Sequence, residues 1–154
     1  MYIQNLELHN FKCFENIELD FHPKLTVIVG ANGSGKTSII EGAAIAISTL
    51  FVKMDGLSGR SIDKSQAHLK AFSIGSTKDV QPQYPVTVKA SAVIGNEKPT
   101  WARSLNKSTG STTVIDARNI IDIGVHFQEQ LRKGDTSLIL PVIAYYGTGR
   151  LWDY

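Results

Sequence analysis

A chain of 154 residues, 42% hydrophobic and 19% charged, with 16 Lys and Arg against 14 Asp and Glu, carries a formal net charge of +2. This is the length of one domain; it is too apolar and too nearly neutral for a disordered polyelectrolyte, and its charge balance leaves no overall footprint for nucleic acid. No apolar run of about 18 residues is available to cross a bilayer, Glu7 and His9 interrupt the stretch a secretory signal needs, and the lone Cys13, read as a small buried hydrophobe, excludes a disulfide framework and a cysteine-rich zinc site, so a cytoplasmic globular protein with no membrane partner is expected.

In chain order, Tyr2 to His9 and Ile17 to Phe21 alternate apolar with polar residues and predict two half-exposed strands. The continuous run Leu25 to Val29 stops at Gly30 and reads as a strand covered on both faces, central in its sheet. From Lys36 to Phe51 apolar residues go nearly all the way round a helix, which predicts a buried one. Residues 53–84, rich in Ser, Gly, Lys and Asp, predict a loop-rich insertion with one short helix from Asp63 to Phe72. Val86, Val88 and Ala90, then Thr100 to Leu105 across Gly95-Asn96, predict a β-hairpin. After a Ser/Thr linker over 108–113, Asp116 to Lys133 predicts a helix with Asp116 as N-cap and Gly134 beyond its end. Leu138 to Tyr146 is a second nearly continuous apolar run, broken locally by Pro141 and closed by Gly147. It is expected to share one sheet with Leu25 to Val29, the Lys36 helix packed on both.

Gly30-Ala-Asn-Gly-Ser-Gly-Lys-Thr37 fits G-x-x-x-x-G-K-[ST] with a predicted strand before it and a predicted helix after it, the context that a phosphate-binding loop requires. Glycines let the backbone turn tightly enough to aim successive N–H groups at phosphate oxygens, and the helix N-terminus adds its partial positive charge. The expected nucleotide contacts on the loop and helix start are Gly30, Gly33, Ser34, Gly35, Lys36, Thr37 and Ser38. Lys36, the one catalytic assignment, reaches the β- and γ-phosphates; Thr37 offers a hydroxyl to Mg²⁺, and Ser38 stands toward the α-phosphate. ATP and Mg²⁺ are the implied ligands.

Leu6-Glu-Leu-His-Asn-Phe-Lys12, Ile17-Glu-Leu-Asp-Phe21 and the string from Gly30 through Glu41 to Gly42 together resemble the N-terminal lobe of the ABC/SMC-like AAA family of ATPases, in the branch that holds the SMC, RecF and OLD proteins. Pro141-Val-Ile-Ala-Tyr-Tyr-Gly-Thr-Gly-Arg-Leu-Trp152 resembles a strand and turn of a bacterial subset, the predicted ATP-binding proteins involved in virulence and the PtuA-type ATPases of Septu antiphage systems. The resemblance implies an α/β P-loop NTPase fold, a central mostly parallel sheet with an antiparallel β subdomain, and residues 1–154 as the N-terminal lobe and a fragment of a longer protein. It also implies that Lys12 and Phe14 lie on a loop bordering the nucleotide and that Asn32 faces the γ-phosphate; Lys12 is open between a phosphate contact and a solvated lysine, while Phe14 is assigned to the core. Full-length relatives dimerise around two ATP molecules and serve DNA repair or phage defence, with DNA and a nuclease as implied partners.

The chain departs from that pattern in several places. No apolar strand ends in Asp-Glu and no LSGGQ-like signature precedes one, so hydrolysis is assigned to the intact protein and not to these 154 residues. Where relatives carry a metal-sensing Gln, this chain has Tyr145-Tyr146-Gly147, and Arg150 is read as serving a phosphate or a neighbouring subunit instead. Leu57-Ser-Gly-Arg-Ser61 imitates a signature but follows the P-loop helix directly, and the four histidines lack metal-ligand spacing. The alternative reading is a nucleotide-binding regulatory or interaction module without turnover. A GTPase is disfavoured, since Asn106-Lys107 is followed by Ser108-Thr109 and not by a base-reading Asp.

Overall fold

The computed structural model describes residues 1–75 and 77–147. Strands β1 (Tyr2–Phe11), β2 (Phe14–Asp20), β5 (Val86–Val93) and β6 (Thr100–Leu105) form one antiparallel sheet in the order β2-β1-β5-β6. Between the two pairs come helix α1 (Lys36–Ser48) and a separate hairpin, β3 (Leu69–Ile74) with β4 (Thr77–Pro82); α2 (Arg118–Arg132) follows the sheet. The two strands read from alternation at the start of the chain pair with each other as β1–β2, and the expected hairpin is present as β5–β6. Among the described residues no helix is long and apolar enough to cross a membrane.

Alternation fixes which face of the sheet is buried. Leu8 stands opposite Val88 and Ala90 opposite Trp101, and these four side chains, with Leu6, Val86 and Leu105, are almost wholly withdrawn from water. A register shift between Ile3 and Asn5 rephases β1 so that Ile3 and Leu6, three apart, both face inward. One face of α1, Ser38, Ile39, Gly42, Ile45 and Ala46, covers this layer. The approach is close, since a Cβ on Gly42 would stand 2.6 Å from Leu8 Cδ2.

The C-terminal end of α1 is tied to β6. The Trp101 indole Nε1–H donates to the Ala46 carbonyl at 3.1 Å. Arg103, only 3% exposed, donates from Nε to the Thr113 carbonyl at 2.6 Å and from Nη1 to Thr49 Oγ1 at 3.4 Å. Burial lowers the pKa of its guanidinium. Arg103 has no carboxylate partner among the described residues; its charge stands instead beside the end of α1, where the last carbonyls carry partial negative charge. The α2 helix then packs on the 3₁₀ turn Thr49–Phe51 that extends α1.

Several expectations are corrected. No central parallel sheet forms among the described residues: the sheets are antiparallel, and Leu25 to Val29 and Leu138 to Tyr146 belong to neither. Both runs are exposed, Val29 at 87% and Val142 at 98%, with only Ile28 and Ile143 turned inward onto the core. A parallel strand buried on both faces needs neighbours on both edges and a covering layer, and these runs instead lie beside the second face of α1, around Ile40, Ala43 and Ile47, and the start of β1 at Tyr2 and Ile3. For the same reason α1 is buried on one side and not all round, Ile40 being 45% exposed. The expected helix from Asp63 to Phe72 is one 3₁₀ turn, Lys64–Gln66, because Ala67 and His68 are drawn into pairing with the β1–β2 turn at Phe11 and Asn10. The α2 helix starts two residues after Asp116, without a side-chain cap. Its other end is as read: Gly134, at φ 78°, follows the cap, with Gly134 N–H on the Leu131 carbonyl and Asp135 N–H on that of Gln130.

Gly124 is where α2 can touch the α1 extension, because a Cβ there would lie 2.0 Å from the Leu50 carbonyl oxygen. Gly124→Ala is expected to push the helices apart and lower the unfolding free energy by about 1–3 kcal/mol despite the better helix propensity of Ala, read as a fall in the urea midpoint.

Candidate functional site

The loop Gly30 to Gly35 reaches α1 through two left-handed glycines, Gly33 at φ 82° and Gly35 at φ 90°. Gly35 is the N-cap of α1; it supplies no side-chain cap, and the first turn contains no acidic residue. The first hydrogen bond into the helix is Ile39 N–H to the Gly35 carbonyl at 3.0 Å, so the N–H groups of Lys36, Thr37 and Ser38 precede any helical acceptor. A helix end left this way attracts anions through both its free donors and its dipole.

A cavity of about 410 Å³ opens at this end, lined by Lys12, Cys13, Asn32, Gly33, Gly35, Lys36, Thr37 and Ser38. Seven of the nine residues singled out in the sequence border it. Gly30 and Ser34 stand behind: a Cβ on Gly30 would lie 2.6 Å from Ser34 Oγ, and the Gly30 carbonyl serves Lys36. The Lys36 ammonium is folded back on the loop, donating to the Gly30 and Ala31 carbonyls at 2.7 Å each.

The β1–β2 turn forms the opposite wall. Cys13 is exposed and not a buried hydrophobe, its Sγ 3.8 Å from Ser38 Oγ; a tight turn in the left-handed region at Asn10 and Lys12 points it outward. Phe14 is half-buried, packed against the core and against Gly35. Lys12 is not free in solvent: its ammonium is paired with Glu41 on α1. Glu41 also accepts from Gln66 Nε2 at 3.3 Å, and Gln66 closes a capping box with Asp63. The hydroxyl and N–H of Ser65 hold the Asp63 carboxyl below its usual pKa. The contacts of Gln66 and the exposure of Cys13 had no local signal in the sequence.

Arg60 and the two carboxylates of α2, Asp122 and Glu129, stand apart from this cavity. Arg60, in the signature-like string, donates its N–H to Ser48 Oγ at 2.8 Å and lays its guanidinium over the Tyr145 ring, 5.0 Å from the centroid. Asp122 and Glu129 are exposed on α2. Arg150 lies outside the described residues. No cluster of three His, Cys, Asp or Glu suited to a metal ion occurs among the described residues.

The family model of the AAA domain matches residues 5–154, and the chain belongs to that family. Among individual proteins, the DNA replication and repair protein RecF of Clostridium acetobutylicum is 51% identical over 41 residues, 27% of this chain and 11% of that protein. The RecF protein of Lachnoclostridium phytofermentans is 37% identical over 73 residues, 46% of this chain and 20% of its own length. That of Heliobacterium modesticaldum is 33% identical over 82 residues, covering 53% and 22%. The chain thus spans between 11% and 22% of the length of these relatives.

The two left-handed glycines should respond differently to a methyl group. Around Gly33 there is open space, whereas a Cβ on Gly35 would stand 2.3 Å from Phe14 Cζ and 2.6 Å from Cys13 Sγ. Gly33→Ala is expected to cost about 1–2 kcal/mol of backbone strain, and Gly35→Ala that amount plus about 1–3 kcal/mol of overpacking, compared by urea denaturation.

Proposed function

We propose that this chain binds ATP with Mg²⁺ as the N-terminal lobe of a longer SMC/RecF-like ATPase. The observation that carries the reading is the uncapped N-terminus of α1, opening on a cavity that also holds Lys36, Thr37 and Ser38. The residues fit the ligand: a cradle of backbone N–H groups with no carboxylate among the residues lining its cavity suits phosphate, and the Thr37 hydroxyl is a hard oxygen donor of the kind Mg²⁺ takes. Lys36, held only by two neutral carbonyls, is released at little cost when a phosphate offers a full charge. Gly30 and Ser34 shape the loop, and Asn32 and Lys12 add polar contacts at its rim. Bound Mg²⁺ supplies charge neutralisation between the terminal phosphates.

Turnover is assigned to the longer protein. A P-loop positions and stabilises the phosphate, but hydrolysis also needs a group to orient water and a second carboxylate support for the metal. Neither Asp122 nor Glu129 stands at this cavity. The exposed faces of Leu25 to Val29 and Leu138 to Tyr146 are read as strands of a parallel sheet completed by other parts of that protein, which acts as a cytoplasmic dimer in DNA repair or antiphage defence, with DNA or a nuclease as partner. A nucleotide-binding module without turnover is the second reading, favoured by the absence of an apolar strand ending in Asp-Glu from the 154 residues.

Titration calorimetry with ATP and Mg²⁺ tests the binding. Lys36→Ala is expected to weaken affinity about 10- to 150-fold, the loss of one charge-assisted contact; equal affinity would refute the assignment. In a phosphate-release assay, residues 1–154 should turn over no faster than Lys36→Ala, while the intact gene product should hydrolyse ATP. No turnover by the intact product would select the second reading.

A further inference from the structure

The two lysines on the cavity are held in different ways, and the difference assigns a role to Glu41. Lys36 rests on neutral carbonyls of its own loop. Lys12 is fixed at both ends. Its N–H donates to the Gln66 carbonyl at 2.7 Å, and its carbonyl accepts from His68 Nδ1 at 2.9 Å, which places the proton on that nitrogen. Its ammonium is paired with Glu41, and Lys12 itself sits at φ 51°, a left-handed conformation that non-glycine residues rarely adopt. Glu41 lies on α1, one turn beyond Thr37, where it cannot follow a moving partner. Gln66 holds it from behind, donating through Nε2 to Glu41 while its Oε1 accepts the Asp63 N–H at 2.9 Å.

An ammonium has three N–H donors and can touch both groups, but the charge it shares with this carboxylate is charge that a polyphosphate in the cavity must compete for. We propose that Glu41 is a positioning residue for Lys12: it holds the ammonium on the flank of α1 in the nucleotide-free chain and sets nucleotide affinity by competing with the phosphates for it. This inference rests on the nucleotide-binding reading above. The pair is partly shielded, with side-chain exposures of 28% for Lys12 and 21% for Glu41, so its strength belongs near the upper end of the range for surface pairs.

The test is a double-mutant cycle on the 154-residue chain, with ATP and Mg²⁺ titrated by calorimetry at low ionic strength. Glu41→Gln should tighten binding about two- to fivefold. Simple relief of repulsion between Glu41 and the phosphates would give a gain that does not depend on Lys12, so the decisive quantity is that dependence. In a Lys12→Met background the gain should fall to near zero, and Glu41→Asp, which keeps the charge, should return affinity toward the parent value. Unchanged or weaker binding by Glu41→Gln, or an equal gain with and without Lys12, overturns the role of Glu41 while leaving the P-loop assignment intact. If Lys36→Ala binds as tightly as the parent chain, or the parent chain does not bind ATP, the nucleotide reading fails and this one fails with it.

Discussion

An open anion site at one end of α1 depends on the other end being held. Free N–H groups at a helix start are normally satisfied by a Ser, Thr, Asp or Asn cap, and here the N-cap is Gly35, which has nothing to offer. What fixes the helix instead is β6: Trp101 bonds to the Ala46 carbonyl, and the buried Arg103 stands at Thr49 where α1 runs out. Both interactions complement the negative end of the helix dipole. The antiparallel sheet therefore does more than cover an apolar face; it anchors α1 at its C-terminal end, so that the N-terminal end need not be capped.

The same sheet reaches round to the open end through the β1–β2 turn. Cys13 and Phe14 close on Gly35 so tightly that no side chain fits there, and Lys12 crosses to Glu41 one turn up the helix. The loop is thus confined on its outer side by residues about twenty positions earlier in the chain. That turn is itself tied to residues 66–68 by three backbone-directed hydrogen bonds: Lys12 N–H to Gln66, His68 N–H to Asn10, and His68 Nδ1 to the Lys12 carbonyl. Residues 66–68 thus brace the wall of the cavity from behind without lining it, and the hairpin β3–β4 that follows extends into solvent.

What could be read in the sequence was what is encoded locally. A tight loop before a helix needs its glycines at fixed spacing, so the turn at Gly33 and Gly35 was legible, as were the alternation of β5 and β6 and the Gly134 stop after α2. Residues 63–72 do not form the expected helix because the backbone of 66–68 is claimed by Asn10, Phe11 and Lys12, and that of Leu69 to Phe72 by β4, partners which no helical periodicity reports. Cys13 was misread because its exposure follows from a left-handed turn on either side of Phe11 and not from its own apolar character. Leu25 to Val29 and Leu138 to Tyr146 show a different limit: an apolar run states that burial is favourable, but it does not say which strand or layer supplies it.

Those two runs lie over the second face of α1, and each turns one isoleucine, Ile28 or Ile143, inward. Their outward residues Leu25, Val27, Val29, Ile139 and Val142 remain in water, a concentration of apolar surface of the kind that marks an interaction face. On the first face of α1, by contrast, Ile39, Ile45 and Ala46 are buried in the core that the helix shares with β1 and β5. A helix apolar on both sides fits a place between two layers, of which one is complete in this chain. On the proposed reading, the phosphate cradle belongs to the complete side and the groups that activate water to the other, and that division accounts for a well-formed loop with no carboxylate at its mouth except the one already engaged with Lys12.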